Sequence, residues 1–266
     1  MKERIISAIV AFLIFIPIFI VGGKVFNIAF YILTLIALRE FMNARETEKK
    51  FPDFIRLISY ILISFLYFVN TYEAGMNFSI DYRIVSGLSL SLLLPVILYH
   101  NERIYNVRDA FYLLGGVFFL GFAMSLFYMY RANSLSLIIF LFLITITTDS
   151  FAYFTGKLIG KTKLLEAISP NKTWEGTIGG SIMGTFICTV YYFTVINPKA
   201  PMVSILLIIL LLSIVGQLGD LFFSSIKRRF KIKDFSSLMP GHGGILDRLD
   251  SIIFVMLTFT FFLNIL

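Results

Sequence analysis

Nine apolar runs divide this chain, at about 5–22, 25–39, 54–70, 84–99, 111–130, 136–153, 177–197, 202–222 and 252–266. Each approaches the ~20 residues that a helix needs to cross the hydrocarbon of a bilayer. Apolarity within a run is continuous rather than alternating, which argues against a β-barrel and for helices that satisfy their own backbone hydrogen bonds. Only 15% of the residues are charged and 58% are hydrophobic, whereas a soluble domain carries roughly a quarter charged residues. The expectation is an all-α polytopic integral membrane protein of about nine transmembrane helices.

The cations orient it. With the N-terminus in the cytoplasm, 19 of the 23 Lys and Arg residues fall on the inner side, and the outer hairpins keep one each: Lys24, Arg83, Arg131 and Lys199. That alternation is the positive-inside pattern. The acidic residues follow it, since Glu73 and Asp81 alone fall outside. The basic start and apolar stretch at the N-terminus resemble a signal peptide, but no small-x-small cleavage site follows, so an uncleaved first span is expected. The predicted placement is multi-pass in the cell inner (plasma) membrane, with the N-terminus and two long loops cytoplasmic and the C-terminus outside. The basic excess behind the pI of about 9.4 is what this topology requires and implies no nucleic-acid partner.

Residues 1–266 read as a single transmembrane domain with no linker or soluble module. Residues 1–135 carry short loops; residues 136–266 hold both long loops, about 155–176 and 223–251, and the carboxylates at span ends. Gly176, Gly180 and Gly184 recur every four residues with Gly179 beside them, a spacing that lets helices approach closely. Packing within the protomer and a homodimer contact explain that stripe equally well. Cys188 lies mid-span and reads as a small buried residue.

Chemistry concentrates in the second half. Asp149 and Asp220 sit near the inner ends of spans, where an ionisable group costs roughly 2.5–3.5 kcal/mol on insertion scales. Asp247 and Asp250, three residues apart, share one face of a helix entering the last span. Residues 224–250 pack six Lys/Arg around three carboxylates. Hard carboxylate oxygens beside clustered cations suit Mg²⁺ completed by substrate phosphates. The Gly156…Gly160-Lys161-Thr162 run mimics a P-loop, but its glycine spacing is one residue short and no strand precedes it. Ser169-Pro170 is expected to start a helix whose amides face an anion, with Lys172, Thr173 and Glu175 at its mouth. Pro240-Gly241-His242-Gly243-Gly244 is expected to form a tight turn exposing N–H groups toward an anion. Taken alone, His242 fits a turn residue as well as it fits either chemical role, general base or phosphate donor.

The run Ser224-Ser225-Ile226-Lys227-Arg228, Lys233-Asp234, Pro240-x-His242-Gly243-Gly244 and Asp247-Arg248-x-Asp250 resembles the signature of the phosphatidate cytidylyltransferases, the CDP-diacylglycerol synthases. Asp149-x-x-Ala152-Tyr153-x-x-Gly156-Lys157 and Ser169-Pro170-x-Lys172-Thr173-x-Glu175-Gly176 are similar to that family too, so the resemblance covers about 149–250. It implies CTP and phosphatidic acid as substrates, CDP-diacylglycerol and pyrophosphate as products, and Mg²⁺ as cofactor, with the number of metal ions and a monovalent cation left open. Positioning and charge compensation for such a transfer assign Asp220, Asp247 and Asp250 to metal, Asp149 as a further ligand or a group just behind the ligands, and Lys172, Lys227, Arg228 and Arg248 to phosphates. Ser169, Thr173, Glu175, Ser224, Lys233, His242, Gly243 and Gly244 complete the expected substrate site.

Two rivals fare worse. The CDP-alcohol phosphotransferase pattern needs Gly after the second Asp, where this chain has Ser251. A transporter calls for carboxylates near mid-membrane and polar residues on both faces, whereas here they gather at one face.

Overall fold

The computed structural model describes residues 2–72 and 82–263. Glu73, Asp81 and the last three residues of the ninth apolar run lie outside them. Among the described residues, nine α-helices follow in chain order: α1 Lys2–Val21, α2 Gly23–Glu46, α3 Asp53–Tyr72, α4 Tyr82–Tyr99, α5 Val107–Asn133, α6 Leu135–Ile159, α7 Trp174–Tyr191, α8 Met202–Arg229 and α9 Leu246–Thr260. Each matches one apolar run. Among the described residues, seven (α2 to α6, α7 with the π-helical turn Tyr192–Ile196, and α8) are long and apolar enough to cross a membrane. The 15 residues of α9 span only about 22 Å at ~1.5 Å per residue.

The chain forms two compact units, Met1–Asn133 with Asp234–Leu246, and Ser134–Lys233 with Asp247–Leu266. In the first, α5 is the central helix, with α2, α3 and α4 packed on it. Phe30 stacks on Phe127 at 4.8 Å, and Gly121 leaves room for Leu66 and Ile63. The α1–α2 corner needs Gly22, whose φ is +65° and whose missing Cβ makes space for the Arg131 guanidinium. Arg131 donates to the carbonyls of Phe19 (2.6 Å) and Ile20 (3.0 Å), satisfying acceptors left over at the end of α1. Asp109 at the start of α5 is buried and takes Arg45 (2.7 Å) from the end of α2 and Lys49 (2.6 Å) from just beyond it.

The second unit is built on close approach. A Cβ on Gly176 would meet the Ala152 carbonyl at 2.7 Å, one on Gly180 the Thr148 carbonyl at 2.6 Å, and one on Gly179 or Gly184 the side chain of Thr155 or Thr148. The glycine stripe is therefore filled by α6 of the same chain, which settles its role as internal packing. Gly216 and Gly219 of α8 likewise face Val255, Phe254 and the Asp250 carbonyl of α9.

Three local expectations are corrected. Residues 155–176 are not an open loop: α6 runs on to Ile159, and an antiparallel hairpin follows, β1 Lys163–Leu165 paired with β2 Ser169–Thr173. The helix expected from Ser169-Pro170 starts instead at Trp174, because Ser169–Thr173 is extended and Thr173 is the cap, its Oγ1 accepting from Gly176 N at 3.1 Å. Pro170 sits at the second position of the strand, where a short hairpin with no further neighbour needs no amide from it. The second loop is also shorter than expected, since α8 continues to Arg229 and carries Ser224, Lys227 and Arg228 within its last turns.

Candidate active site

The C-terminal halves of α6 and α8, the start of α9 and the hairpin assemble the acidic residues of the second unit, with Asp149 ten residues before the end of α6 and Asp220 nine before the end of α8 rather than at the helix ends. Asp220 is held twice: Lys172 Nζ from β2 lies 2.5 Å from its Oδ2, and Ser224 Oγ, one turn on, donates to its Oδ1 at 3.3 Å. Lys172 also reaches the Gln217 carbonyl at 3.4 Å. Asp247, buried, receives Lys227 at 2.7 Å, and Asp250, also buried, accepts from the Ser251 amide at 2.8 Å. Asp220 and Asp250 act on each other electrostatically, and the Asp250 carbonyl packs against Gly219, next to Asp220. Asp149 interacts electrostatically with Lys172 and Asp220, and Asp250 with Lys227 and Asp149. Four carboxyl groups and two ammonium groups thus share one site.

Two carboxyl groups that close together repel when both are ionised unless a proton or cation lies between them. Asp220 and Asp250 consequently fit a divalent ion that takes one or two protein carboxylates and completes its shell with water and phosphate. Among the described residues no group of three or more His, Cys, Asp or Glu side chains is placed to hold a metal alone. Asp247 faces Lys227, so the structure separates its immediate role from that of the Asp220–Asp250 pair.

The two basic segments meet. Arg228 on α8 donates through Nε to the Ile168 carbonyl of the hairpin (3.2 Å) and through Nη1 to Ile232 (3.2 Å), while Lys172 crosses in the other direction to Asp220. Glu175 is used within the hairpin base, accepting from Thr162 Oγ1 at 2.6 Å and from the Thr162 amide at 3.2 Å. Ser169 opens β2, and Lys233 and Arg248 are exposed. His242, Gly243 and Gly244 belong to the first unit. Their tight turn is present, with Gly241 at φ 75° and Gly243 at φ 83°. The His242 and Gly243 amides, however, both donate to the Met239 carbonyl (2.8 and 3.1 Å), so these two N–H groups close the turn rather than face an anion.

Gln217 escaped the sequence reading. Buried within α8, it donates to Ser181 Oγ (2.9 Å) and the Thr177 carbonyl (3.3 Å), tying α8 to α7 one turn before Asp220. A lone amide in an apolar run was its available signal. Next to it, Thr148 and Ser213 hydroxyls pair at 2.9 Å, and Thr145, Thr148, Asp149, Ser213, Gln217 and Ser251 line a narrow crevice.

Spanning helices that carry a cluster of carboxylates and lysines define a membrane-embedded class of enzyme that handles anionic substrates. The chain belongs to the cytidylyltransferase family, whose sequence profile matches residues 2–266. It is 39% identical over 257 residues to the phosphatidate cytidylyltransferase of Staphylococcus haemolyticus (strain JCSC1435), 38% over 259 residues to that of Staphylococcus aureus (strain COL) and 35% over 256 residues to that of Staphylococcus saprophyticus subsp. saprophyticus. Each alignment covers 96% of this chain and 96% of the relative. The protein is a multi-pass membrane protein.

Proposed function

We propose that this chain is a phosphatidate cytidylyltransferase that works at the cytoplasmic face of the membrane. A phosphate oxygen of phosphatidate attacks the α-phosphorus of CTP. The bond from that phosphorus to the oxygen bridging toward the β-phosphorus breaks, and pyrophosphate leaves with the electron pair. CDP-diacylglycerol remains in the bilayer. Phosphatidate is already ionised near neutral pH, so the work is positioning two anions and compensating charge.

The observation that carries this assignment, beside the family, is the juxtaposition of Asp149, Asp220 and Asp250 with Lys172 and Lys227. Asp220 and Asp250 would hold Mg²⁺, with Asp149 beside them. The ion supplies charge neutralisation of the triphosphate when bound. Lys172 and Lys227, placed by their carboxylate partners, meet phosphate oxygens, and Arg228 and Arg248 extend the cationic surface toward the leaving group or the lipid headgroup. Gln217 and the α6–α7 glycine seam hold the helix ends in register.

The orientation is supported by the 19-to-4 distribution of Lys and Arg and by two contacts inside the first unit. Arg131, expected outside, binds the end of α1 next to Lys24, also expected outside. At the other end, Lys49 reaches the Glu102 carbonyl (3.1 Å), joining two segments expected inside.

The deciding assay uses purified protein in detergent with labelled CTP, phosphatidic acid and Mg²⁺. A lipid-soluble nucleotide and an equimolar amount of pyrophosphate are expected, both lost on chelation. Absence of product with every phosphatidic acid tried overturns the assignment.

A further inference from the structure

Glu40 is a buried acidic side chain outside the cluster above. It lies on α2, is 2% exposed and accepts three hydrogen bonds, all from residues about 200 positions further along. Ser236 Oγ (2.6 Å) and the Ile245 amide (2.9 Å) donate to Oε1, and the Leu246 amide (2.8 Å) donates to Oε2. All four residues belong to the first unit. The glycine preceding Ile245 makes room for this carboxyl group: a Cβ on Gly244 would collide with all three of its terminal atoms. Gly244 has no positive φ among the backbone outliers, so its need for glycine is space for Glu40 rather than backbone freedom.

We propose that Glu40 is a positioning residue for the transfer reaction, fixing where α9 begins and thereby the placement of Asp247 and Asp250. Leu246 is the first residue of α9, and its amide is one of the donors that a helix start leaves without an intrahelical partner. Capping residues normally stand next to the helix they cap; here the cap comes from α2. Asp247 follows Leu246 directly, and Asp250 lies one turn on, so the registration of both carboxylates along the chain depends on where helical hydrogen bonding starts. The α2 end that presents Glu40 is itself anchored. Phe41 stacks on Tyr112 at 4.3 Å, Tyr112 Oη donates to the Phe41 carbonyl at 2.7 Å, and Arg45 pairs with buried Asp109.

The Glu40→Gln variant tests this with little change of shape. Its amide has one acceptor oxygen, so either the Ile245 or the Leu246 N–H must face an NH₂ group. Hydrogen exchange in the purified full chain, read on a peptide containing residues 245 and 246, is expected to speed up about tenfold for these amides. Turnover is expected to fall about a hundredfold in kcat, with KM for CTP little changed and the Mg²⁺ concentration for half-maximal rate raised. Wild-type kcat and Mg²⁺ dependence in a variant whose 245–246 amides do exchange faster would overturn the proposal, as would unchanged exchange. Should Glu40→Gln fail to fold, Ser236→Ala removes one of the three bonds. Smaller shifts in the same two quantities then support the role, and wild-type values of both reject it. The kinetic arm rests on the proposed cytidylyl transfer. An inactive wild-type protein would count against that assignment, while the exchange arm would still judge the clamp.

Discussion

At Asp220 and Asp250, two carboxyl groups approach each other in a site that also holds Lys172 and Lys227, and these two aspartates are expected to matter most for turnover. Asp220→Asn and Asp250→Asn should each lower kcat/KM by at least about a hundredfold, the scale of a lost charge-stabilising group in a preorganised site. Near-normal turnover of Asp250→Asn at saturating Mg²⁺ would remove it from the metal. Asp247 should behave differently because its partner Lys227 is buried with it. Removing one member of a buried ion pair strands the other charge at a cost of about 3–5 kcal/mol, whereas replacing both with apolar groups is often neutral. Thermal unfolding in detergent should therefore show Asp247→Asn strongly destabilised and the double variant Lys227→Met/Asp247→Leu largely restored in stability yet inactive. A double variant as unstable as the single one would contradict this account.

Among the elements, the hairpin and the end of α8 act as one. Lys172 and Arg228 cross between them in opposite directions, so phosphate contacts from both should be coupled. Lys172→Ala and Arg228→Ala are each expected to lose about 2–4 kcal/mol in kcat/KM, and the double variant clearly less than the sum. Full additivity would mean two independent sites. The cap on α7 is a smaller matter: Thr173→Ala gives up the bond to Gly176 and should cost about 1 kcal/mol of stability. The runs of apolar residues placed all nine helices, because the period and length of each run express how much surface must leave water. Their ends were harder to read. The hairpin at 163–173 is stitched by Glu175 to Thr162, 13 residues away, and local propensity around Ser169-Pro170 carries no trace of that bond.

For the whole molecule, the proposed orientation makes a direct prediction. In a Cys188→Ala background, a cysteine at Ala200 should react with a membrane-impermeant maleimide from outside intact cells, and one at Ser237 or Thr47 should react only after lysis. The reverse pattern would invert the topology and place the site where CTP is absent. What the sequence determined alone was the number and position of the helices among the described residues and the identity of the charged residues that a bilayer protein would not keep without use. Those follow from transfer free energies, which belong to each residue and segment separately. Only the tertiary structure decided that Lys172 takes Asp220, that Lys227 takes Asp247, that the glycine stripe is filled by α6, and that Glu40 meets an amide 206 residues away. Such pairings depend on which faces of the helices pack together, and that is fixed by close approach at a few glycines and by the pairing of buried polar groups rather than by any local run of sequence.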